Sequence, residues 1–283
     1  GRQITSSEHI TGRFNSHLMD VVFLFADEAV RPTDREAQNR LKAMITESTL
    51  QFEAKGKDLR SGMNRLHVMM ASNDDWFVPM GLVDGERRYF VSRVNDSRRQ
   101  DTRFFGALER QMYHEGGLQA MLHDLQLRDI ARWAPRGNVP ATGAVVEQKL
   151  RNMDPVAQWW FEKLEYGDLG IEFSRDGDDW ELGAVRAFHQ DVKEDFELWC
   201  KRKDIKASSM NRGIDRYFTA EFSKVCPNLK KENRDPIPDD RPGIRPAGSS
   251  GRARSYEFPS LDDCRADFEA ALEGTVDWPN AAD

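Results

Sequence analysis

The sequence lacks the features that mark several common classes of protein. Only three of its 283 residues are cysteines, Cys200, Cys226 and Cys264, and their spacing fits neither a disulfide framework nor a CxxC zinc site. No apolar run approaches the roughly 18 residues that a membrane span needs. There is also no basic-then-apolar signal at the N-terminus. We therefore predict a cytoplasmic protein without disulfides and without a membrane partner.

Several catalytic motifs are also missing. The six histidines show no HExxH spacing, and there is neither a G-x-S-x-G elbow nor a G-x-x-x-x-G-K-[ST] phosphate-binding loop. Gly56-Lys57 does not form such a loop, because Asp58 follows it and the earlier glycine is absent. The chain starts at Gly1 rather than at Met, which we interpret as the start of a fragment.

What is present is enough to build folded domains. Hydrophobic residues make up 39% of the chain and charged residues 31%, at a length that fits two domains of about 150 residues each. A net charge of -7 argues against a protein that is basic throughout, but it leaves room for a local basic patch.

The first domain, residues 1–150, alternates short apolar runs with helical segments. The apolar run at 21–25 ends in Asp27-Glu28 and predicts a strand buried on both faces. The other elements predicted here are a helix at 35–45, strands at 49–53, 65–71 and 88–94, and two helices within 101–130. Strands interleaved with helices predict an α/β sheet with parallel strands.

The second domain, residues 151–283, is predicted to be mostly helical. Asp154 is the expected N-cap of a helix with Pro155 at its first position. The other elements predicted here are helices at 182–200, 208–225 and 261–272 and a short strand at 256–258. Four of the twelve prolines fall within 235–251, which predicts a mobile loop.

Three polar groups stand where strands of the first domain end or begin. A carboxylate such as Asp27 can hold Mg²⁺, and the next one, Glu28, can orient or deprotonate an attacking water. An amide such as Asn73 can hydrogen-bond a γ-phosphate, and a positioned arginine, Arg87 or Arg88, can stabilise a transferring phosphoryl group. The plain structural alternatives are an acidic helix N-terminus, an Asx-turn and two surface arginines.

Taken together, these residues resemble those of the superfamily 3 helicase branch of the AAA+ ATPases. The chain is similar to the ATPase region of phage and prophage primase-helicases of the poxvirus type in four stretches within residues 8–165: GRFNSHLMDVVFLFADEA, LKAMITESTLQFEAKGKD, NRLHVMMASNDDWFVP and GERRYFV. The resemblance implies a P-loop NTPase fold truncated at its N-terminus. It also implies ATP and Mg²⁺ as cofactors, a hexameric ring around single-stranded DNA, and a bacterial host cell.

The resemblance further implies a role for each site residue. Asp27 and Glu28 match the Walker B pair, with Asp27 on Mg²⁺, and Asn73 matches the polar sensor that contacts the nucleotide. Arg87 or Arg88 matches the arginine finger that acts on a neighbouring subunit. Two lysines, Lys55 and Lys57, fall in the hairpin that such helicases turn toward DNA. Because the family's phosphate-binding loop lies upstream of Walker B, we expect this chain alone to be inactive.

A basic segment, residues 201–234, holds ten basic residues against four acidic ones. The run VKEDFELWCKRKDIKASSMNRGIDRYF within and before it resembles the winged-helix tail that follows phage primase-helicase motors. Ser208 or Ser209 would cap the recognition-like helix, and residues 256–258 would form part of the wing. The expected contacts to duplex DNA phosphates come from Lys201, Arg202, Lys203, Arg212 and Arg216.

Two other functions remain open at this point. The chain could be a non-catalytic DNA-binding replication protein. Alternatively, Asp27, Glu53 and Lys55 match the D…E-x-K order of a nuclease that uses two carboxylates to bind Mg²⁺. The nuclease alternative leaves Asn73 and the arginine pair unexplained.

Overall fold

The residues that the structure describes form a mixed α/β fold with one parallel sheet, two antiparallel sheets and surrounding helices. The computed structural model describes residues 1–6, 8–28, 35–74, 78, 80–82, 88–134, 139–140, 142–175, 178–205, 214–241, 243–248 and 251–279. Within these residues, no helix has both the length and the apolar character needed to cross a membrane.

The parallel sheet contains three strands in the order β1 (Arg2–Ile4), β2 (Phe23–Asp27) and β5 (His67–Ala71). We predicted a β2 that is buried on both faces, and this is wrong. Leu24 and Ala26 are buried, whereas Phe23 is 46% exposed. Met69, which lies opposite Phe25 on β5 and so on the same face as Phe23, is 56% exposed. The strand also runs two residues later than the apolar run, so that Asp27 is its last residue.

A helix and a β-hairpin lie between β2 and β5. Two short elements, α1 (Glu8–Thr11) and a 3₁₀ helix (Ser16–Leu18), precede β2. The helix α2 (Arg35–Thr46) confirms the predicted helix and buries Leu41 and Met44. The hairpin pairs β3 (Thr49–Phe52) with β4 (Arg60–Met63) in antiparallel fashion. Asn64 joins the two parts, because its Nδ2 donates to the carbonyl of Met44 at 2.8 Å.

The strand predicted at 88–94 is wrong, because residues 89–94 belong to no sheet. Tyr89 and Val91 are buried and Phe90 between them is 61% exposed, which gives the alternation that suggested a strand. A side-chain hydrogen bond fixes this segment in place of strand pairing, since Thr142 Oγ1 donates to the carbonyl of Val91 at 2.6 Å.

Two helices, α3 (Thr102–His114) and α4 (Gly117–Leu127), form an αα-hairpin as predicted. Asp101 caps α3 by accepting a bond from the Phe104 amide, and Gly116 makes the turn with φ +83°. Neither helix contains a buried residue, although each has an apolar face. The exposed large apolar side chains of the hairpin are Phe104, Phe105, Leu108, Tyr113, Leu118, Met121, Leu122, Leu125 and Leu127.

The C-terminal half contains a second core between helices and an antiparallel sheet in the order β6-β8-β7. Its elements are α5 (Gly143–Arg151), α6 (Pro155–Tyr166), β6 (Val185–Phe188), α7 (His189–Arg202), α8 (Ile214–Val225), β7 (Lys230–Pro236), β8 (Arg252–Phe258) and α9 (Leu261–Leu272). Trp160 is fully buried, and its ring contacts those of Phe222 and Phe258. Asp154 caps α6 as predicted, accepting from the amides of Val156 and Ala157.

Three predictions for this half need correction. The predicted helix at 182–200 begins as the strand β6, because residues 185–188 pair with β8 more than 60 residues later. The strand β7 occupies a polar stretch for which no strand was predicted. The loop predicted to be mobile is anchored, since Ile244 is buried and Arg241 donates to Asp191 at 2.5 Å.

The helix α5 contacts both cores. Gln148 Oε1 accepts from the amide of Val78 at 3.3 Å on the N-terminal side. On the other side Lys149, only 2% exposed, donates to the carbonyl of Leu272 at 2.7 Å and pairs with Glu273. The unpaired carbonyls at the end of α9 thereby gain a buried cation.

Candidate functional site

Three of the predicted site residues lie together at the carboxyl edge of the parallel sheet. Asp27 ends β2 directly opposite Ala71, which ends β5, so the residues that follow the two strands are neighbours. The amide of Glu28 donates to the carbonyl of Ala71 at 2.9 Å. Asn73 Nδ2 donates to Glu28 Oε1 at 2.6 Å. Glu28 and Asn73 are both exposed, so their polar atoms are open to a ligand.

Glu28 has an unusual backbone conformation. Its φ of +51° lies in the left-handed region, which a residue with a side chain enters at a cost of about 1–2 kcal/mol. Such conformations occur preferentially at functional sites, where surrounding bonds hold them. Here the bonds from the Glu28 amide to Ala71 and from Asn73 to the Glu28 carboxylate do so. The turn after β2 therefore directs this carboxylate toward Asn73.

A fourth polar residue, Gln3, was missed by the sequence analysis. It lies on β1 in register with Phe25, so it shares a face with Asp27 two residues later. Gln3 Nε2 makes a long contact of 3.5 Å to Asp27 Oδ2. In the sequence Gln3 is a polar residue in a strand of three residues. A strand this short shows no hydrophobic periodicity from which it could be predicted.

The carboxylates at this edge fit a magnesium ion shared with phosphates. Mg²⁺ is usually held by one or two carboxylates, substrate phosphates and water. Asp27 is the residue that would hold it, with Glu28 beside it. Among the residues that the structure describes, no group of three or more His, Cys, Asp or Glu side chains could hold a metal ion.

The two arginines predicted as the finger lie in another segment. Arg87 is outside the described residues, whereas Arg88 is half-buried just before the buried Tyr89. This segment leads into the αα-hairpin.

The two hairpin lysines occupy the tip between β3 and β4. Lys55 and Lys57 are exposed on either side of Gly56, whose φ is +72°. Glu53, which the nuclease alternative needs as a metal ligand, is engaged elsewhere. Arg13 Nε lies 2.8 and 3.0 Å from its two carboxylate oxygens. This ion pair raises the pKa of Arg13, through the hydrogen bond and the charge of Glu53.

The predicted DNA contacts of the second half are only partly available. Lys201 and Arg202 are exposed at the end of α7. Lys203 pairs with Glu162 at 2.9 Å, which leaves less of its charge for a ligand. Arg216 is exposed on α8, whereas Arg212 and the predicted caps Ser208 and Ser209 lie outside the described residues. Two further lysines of the basic segment are paired within the domain, Lys224 with Glu221 and Lys230 with Glu257.

Of the comparisons with known proteins, one gave a family match and one gave a similar solved structure. Residues 1–88 match a family of unknown function (DUF5906). No curated protein shows significant similarity to the chain. Among solved structures, the chain is similar to the apo structure of the C-terminal region, residues 305–718, of NrS-1, with 17% identity and a TM-score of 0.41. The similarity covers 58% of this chain and 39% of that one, so the chain spans well under half of that structure.

Proposed function

We propose that this chain is part of an ATP-dependent DNA helicase of phage or prophage replication, related to the primase-helicases. The observation that carries the proposal is the hydrogen bond between Asn73 and Glu28 at the carboxyl edge of the parallel sheet. This edge is where open α/β sheets bind their ligands. The non-catalytic alternative gives no reason for a glutamate in a left-handed conformation beside an amide at this position.

In this proposal each site residue of the chain has a separate role in ATP hydrolysis. Asn73 occupies Oε1 of Glu28, so Oε2 is the oxygen that would accept a hydrogen bond from the attacking water. Asp27 would hold Mg²⁺, which neutralises charge on phosphate oxygens when it is bound. One of Arg87 and Arg88 would stabilise the transferring phosphoryl group on a neighbouring subunit. The loop that cradles the triphosphate is not within these 283 residues, since no Walker A motif occurs in them.

We propose further that the C-terminal domain binds DNA as a winged helix. The order of its elements, α6, β6, α7, α8, β7 and β8, and the sheet order β6-β8-β7 support this proposal, because a winged helix would have the same succession of helices and strands. In this arrangement α8 is the recognition-like helix, and the loop between β7 and β8 is the wing. Binding would be carried by cations that no described acid of the domain neutralises, which favours Lys201 and Arg202 over Lys203.

We expect the double substitution Lys201→Ala and Arg202→Ala to weaken duplex DNA binding by the 283-residue chain. Each phosphate contact that is lost should reduce the slope of log K against log salt by about 0.9, so the double variant loses about 1.8. Fluorescence anisotropy across a salt series measures both quantities. Lys201→Ala and Lys224→Ala form a matched pair, because Lys224 already pairs with Glu221 at 2.6 Å. Equal effects of these two substitutions would contradict the assignment.

The αα-hairpin supports the oligomer that this function needs. Its nine exposed apolar side chains present on the order of 800 Å² of surface, about what each partner buries in a standard interface. Residues 98–132, which include the hairpin, carry six arginines and five acidic residues, so their charge excess is only one and gives little attraction for nucleic acid or a lipid surface. We propose that a second copy of this chain covers the apolar face.

A pair of double substitutions tests the hairpin interface. We expect Leu118→Glu with Leu122→Glu to raise the dissociation constant of self-association at least about tenfold, because two charges would have to be buried. Gln119→Glu with His123→Glu adds glutamates at the same spacing outside that face and should change little. Sedimentation velocity over a concentration series reports the mass, which is 32.5 kDa for one chain. A wild-type chain that stays monomeric throughout would overturn the proposal.

A further inference from the structure

Three arginines lie on one face of the hairpin formed by β7 and β8. Arg234 and Arg254 are directly opposite each other in the register of the two strands. Arg252 lies two residues before Arg254 and therefore projects from the same face. All three are exposed. Within the part of the chain that the structure describes, none of their guanidinium groups makes an ion pair or a hydrogen bond.

Two like charges in directly opposed positions destabilise an antiparallel pair. The same sheet avoids this at its other end, where Glu257 lies between Arg186 and Lys230 in one row across the three strands. Glu257 pairs with both cations, and the hydrogen bonds from Lys230 and Arg186 lower its pKa. The opposed Arg234 and Arg254 thus retain their repulsion, whereas Glu257 neutralises the cations of the other row.

The opposite face of this hairpin is fixed by a buried acid. Asp235 Oδ2 accepts from Ser255 Oγ at 2.6 Å and from Ser174 Oγ at 2.8 Å, while Arg186 donates to Oδ1. Burial alone would raise the pKa of Asp235, but these bonds outweigh it and hold the pKa below its usual value. Because Asp235 lies between Arg234 and Pro236 on β7, its bonds fix the strand that presents Arg234.

The wing loop, which joins the two strands that carry the arginines, meets α7 at the end opposite to its basic residues. The wing loop is bound at the start of α7, where Arg241 pairs with Asp191 and Gln190 Nε2 donates to the carbonyl of Gly243. Lys201 lies ten residues further along the same helix, which corresponds to about 15 Å. A ligand that contacts both the start of α7 beside the wing loop and Lys201 has to extend over this distance.

We propose that Arg234, Arg252 and Arg254 form a second phosphate-binding surface, the wing-arginine face, which takes backbone phosphates of duplex DNA. Arginine suits this ligand because its planar fork binds phosphate oxygens in pairs. A polymer fits better than a single anion, because three unneutralised cations on a fixed hairpin match several linked phosphates. The two acids of the wing loop, Asp239 and Asp240, are exposed and pair with none of the three arginines. The choice of DNA as the polymer rests on the function proposed above for the domain.

The test is a triple substitution, Arg234→Gln, Arg252→Gln and Arg254→Gln, in the 283-residue chain. We expect the affinity for a 20-base-pair duplex at low salt to fall on the order of tenfold or more, and the salt slope to fall by about 2.7. The control is Arg99→Gln, Arg128→Gln and Arg132→Gln, which removes the same charge from exposed positions in the first half. If the two triple variants lower the affinity equally, the effect comes from the net charge of the chain and not from the position of these arginines, and the proposal is overturned.

Two further readouts complete the test. The wing variant should unfold at an equal or higher urea concentration than wild type, because it removes a like-charge pair, whereas a merely structural role would lower the midpoint. Inorganic phosphate at matched ionic strength should displace the duplex no better than chloride, and preferential displacement would indicate a site for a free anion instead. One outcome is that Lys201→Ala with Arg202→Ala weakens binding and the wing variant does not. In that case the proposal of a wing-arginine face is wrong, and the proposed DNA-binding function of the domain stands. If wild type binds no duplex, both are wrong.

Discussion

We expect Glu28→Gln to lower the kcat of ATP hydrolysis by about 10²–10⁴-fold, measured in a protein that joins this chain to a phosphate-binding loop. In the proposed mechanism the carboxylate of Glu28 accepts a proton or a hydrogen bond from water, and an amide cannot act as a base. Asn73 can still donate to the side-chain carbonyl that the substitution leaves in place, so the local geometry should persist. Nucleotide affinity should therefore change little, since in the proposed site Asp27 would hold Mg²⁺ and the phosphate-binding loop would cradle the phosphates.

Two controls accompany this measurement. Glu47→Gln makes the same chemical change at an exposed position and should leave kcat unchanged. Gln has the same left-handed backbone cost as Glu, so the free energy of unfolding should shift by less than about 0.5 kcal/mol. A variant that keeps more than one tenth of the wild-type kcat would remove Glu28 from the mechanism and favour the non-catalytic alternative.

The convergence of Asp27, Glu28 and Asn73 could be predicted from the sequence because it depends only on topology. Parallel strands end at the same edge of a sheet, so polar residues that follow two neighbouring strands must meet there. The exposed face of β2 could not be predicted, because a run of apolar residues does not say how many faces are covered. The left-handed conformation of Glu28 depends on its bonds to Ala71 and Asn73, which only the folded chain supplies.

The second half shows where local patterns fail. Residues 185–188 and the helix that follows form one continuous stretch of helical periodicity, and only pairing with β8 reveals β6. The strand β7 consists of polar residues and is stabilised by bonds from the distant Ser174 and Arg186 to Asp235. For the same reason Arg234 and Arg254 appear in the sequence as two unrelated surface charges, although the register makes them neighbours. The hydrophobic periodicity of a segment does not show which distant strand it pairs with.

Substitution of the finger arginine should have the largest effect of all. Of Arg87→Ala and Arg88→Ala, we expect one to lower kcat by about 10³–10⁵-fold, because an arginine finger contributes that much to phosphoryl transfer. The other substitution is a control with the same loss of charge one residue away. ATP affinity should be nearly unchanged in both, since the finger acts mainly on the transition state. Losses below about tenfold in both variants would show that neither arginine takes part.

Mixing two inactive variants tests whether the arginine acts on a neighbouring subunit. A subunit with Glu28→Gln still supplies its arginine, and a subunit with the finger arginine replaced still supplies Glu28. If the site lies between subunits, a ring assembled from equal amounts of both variants contains complete sites at about one quarter of its interfaces. ATPase activity should therefore reappear on mixing, although each variant alone is inactive. If the arginine acted on its own subunit, every site would lack one group, and the mixture would stay inactive at every ratio.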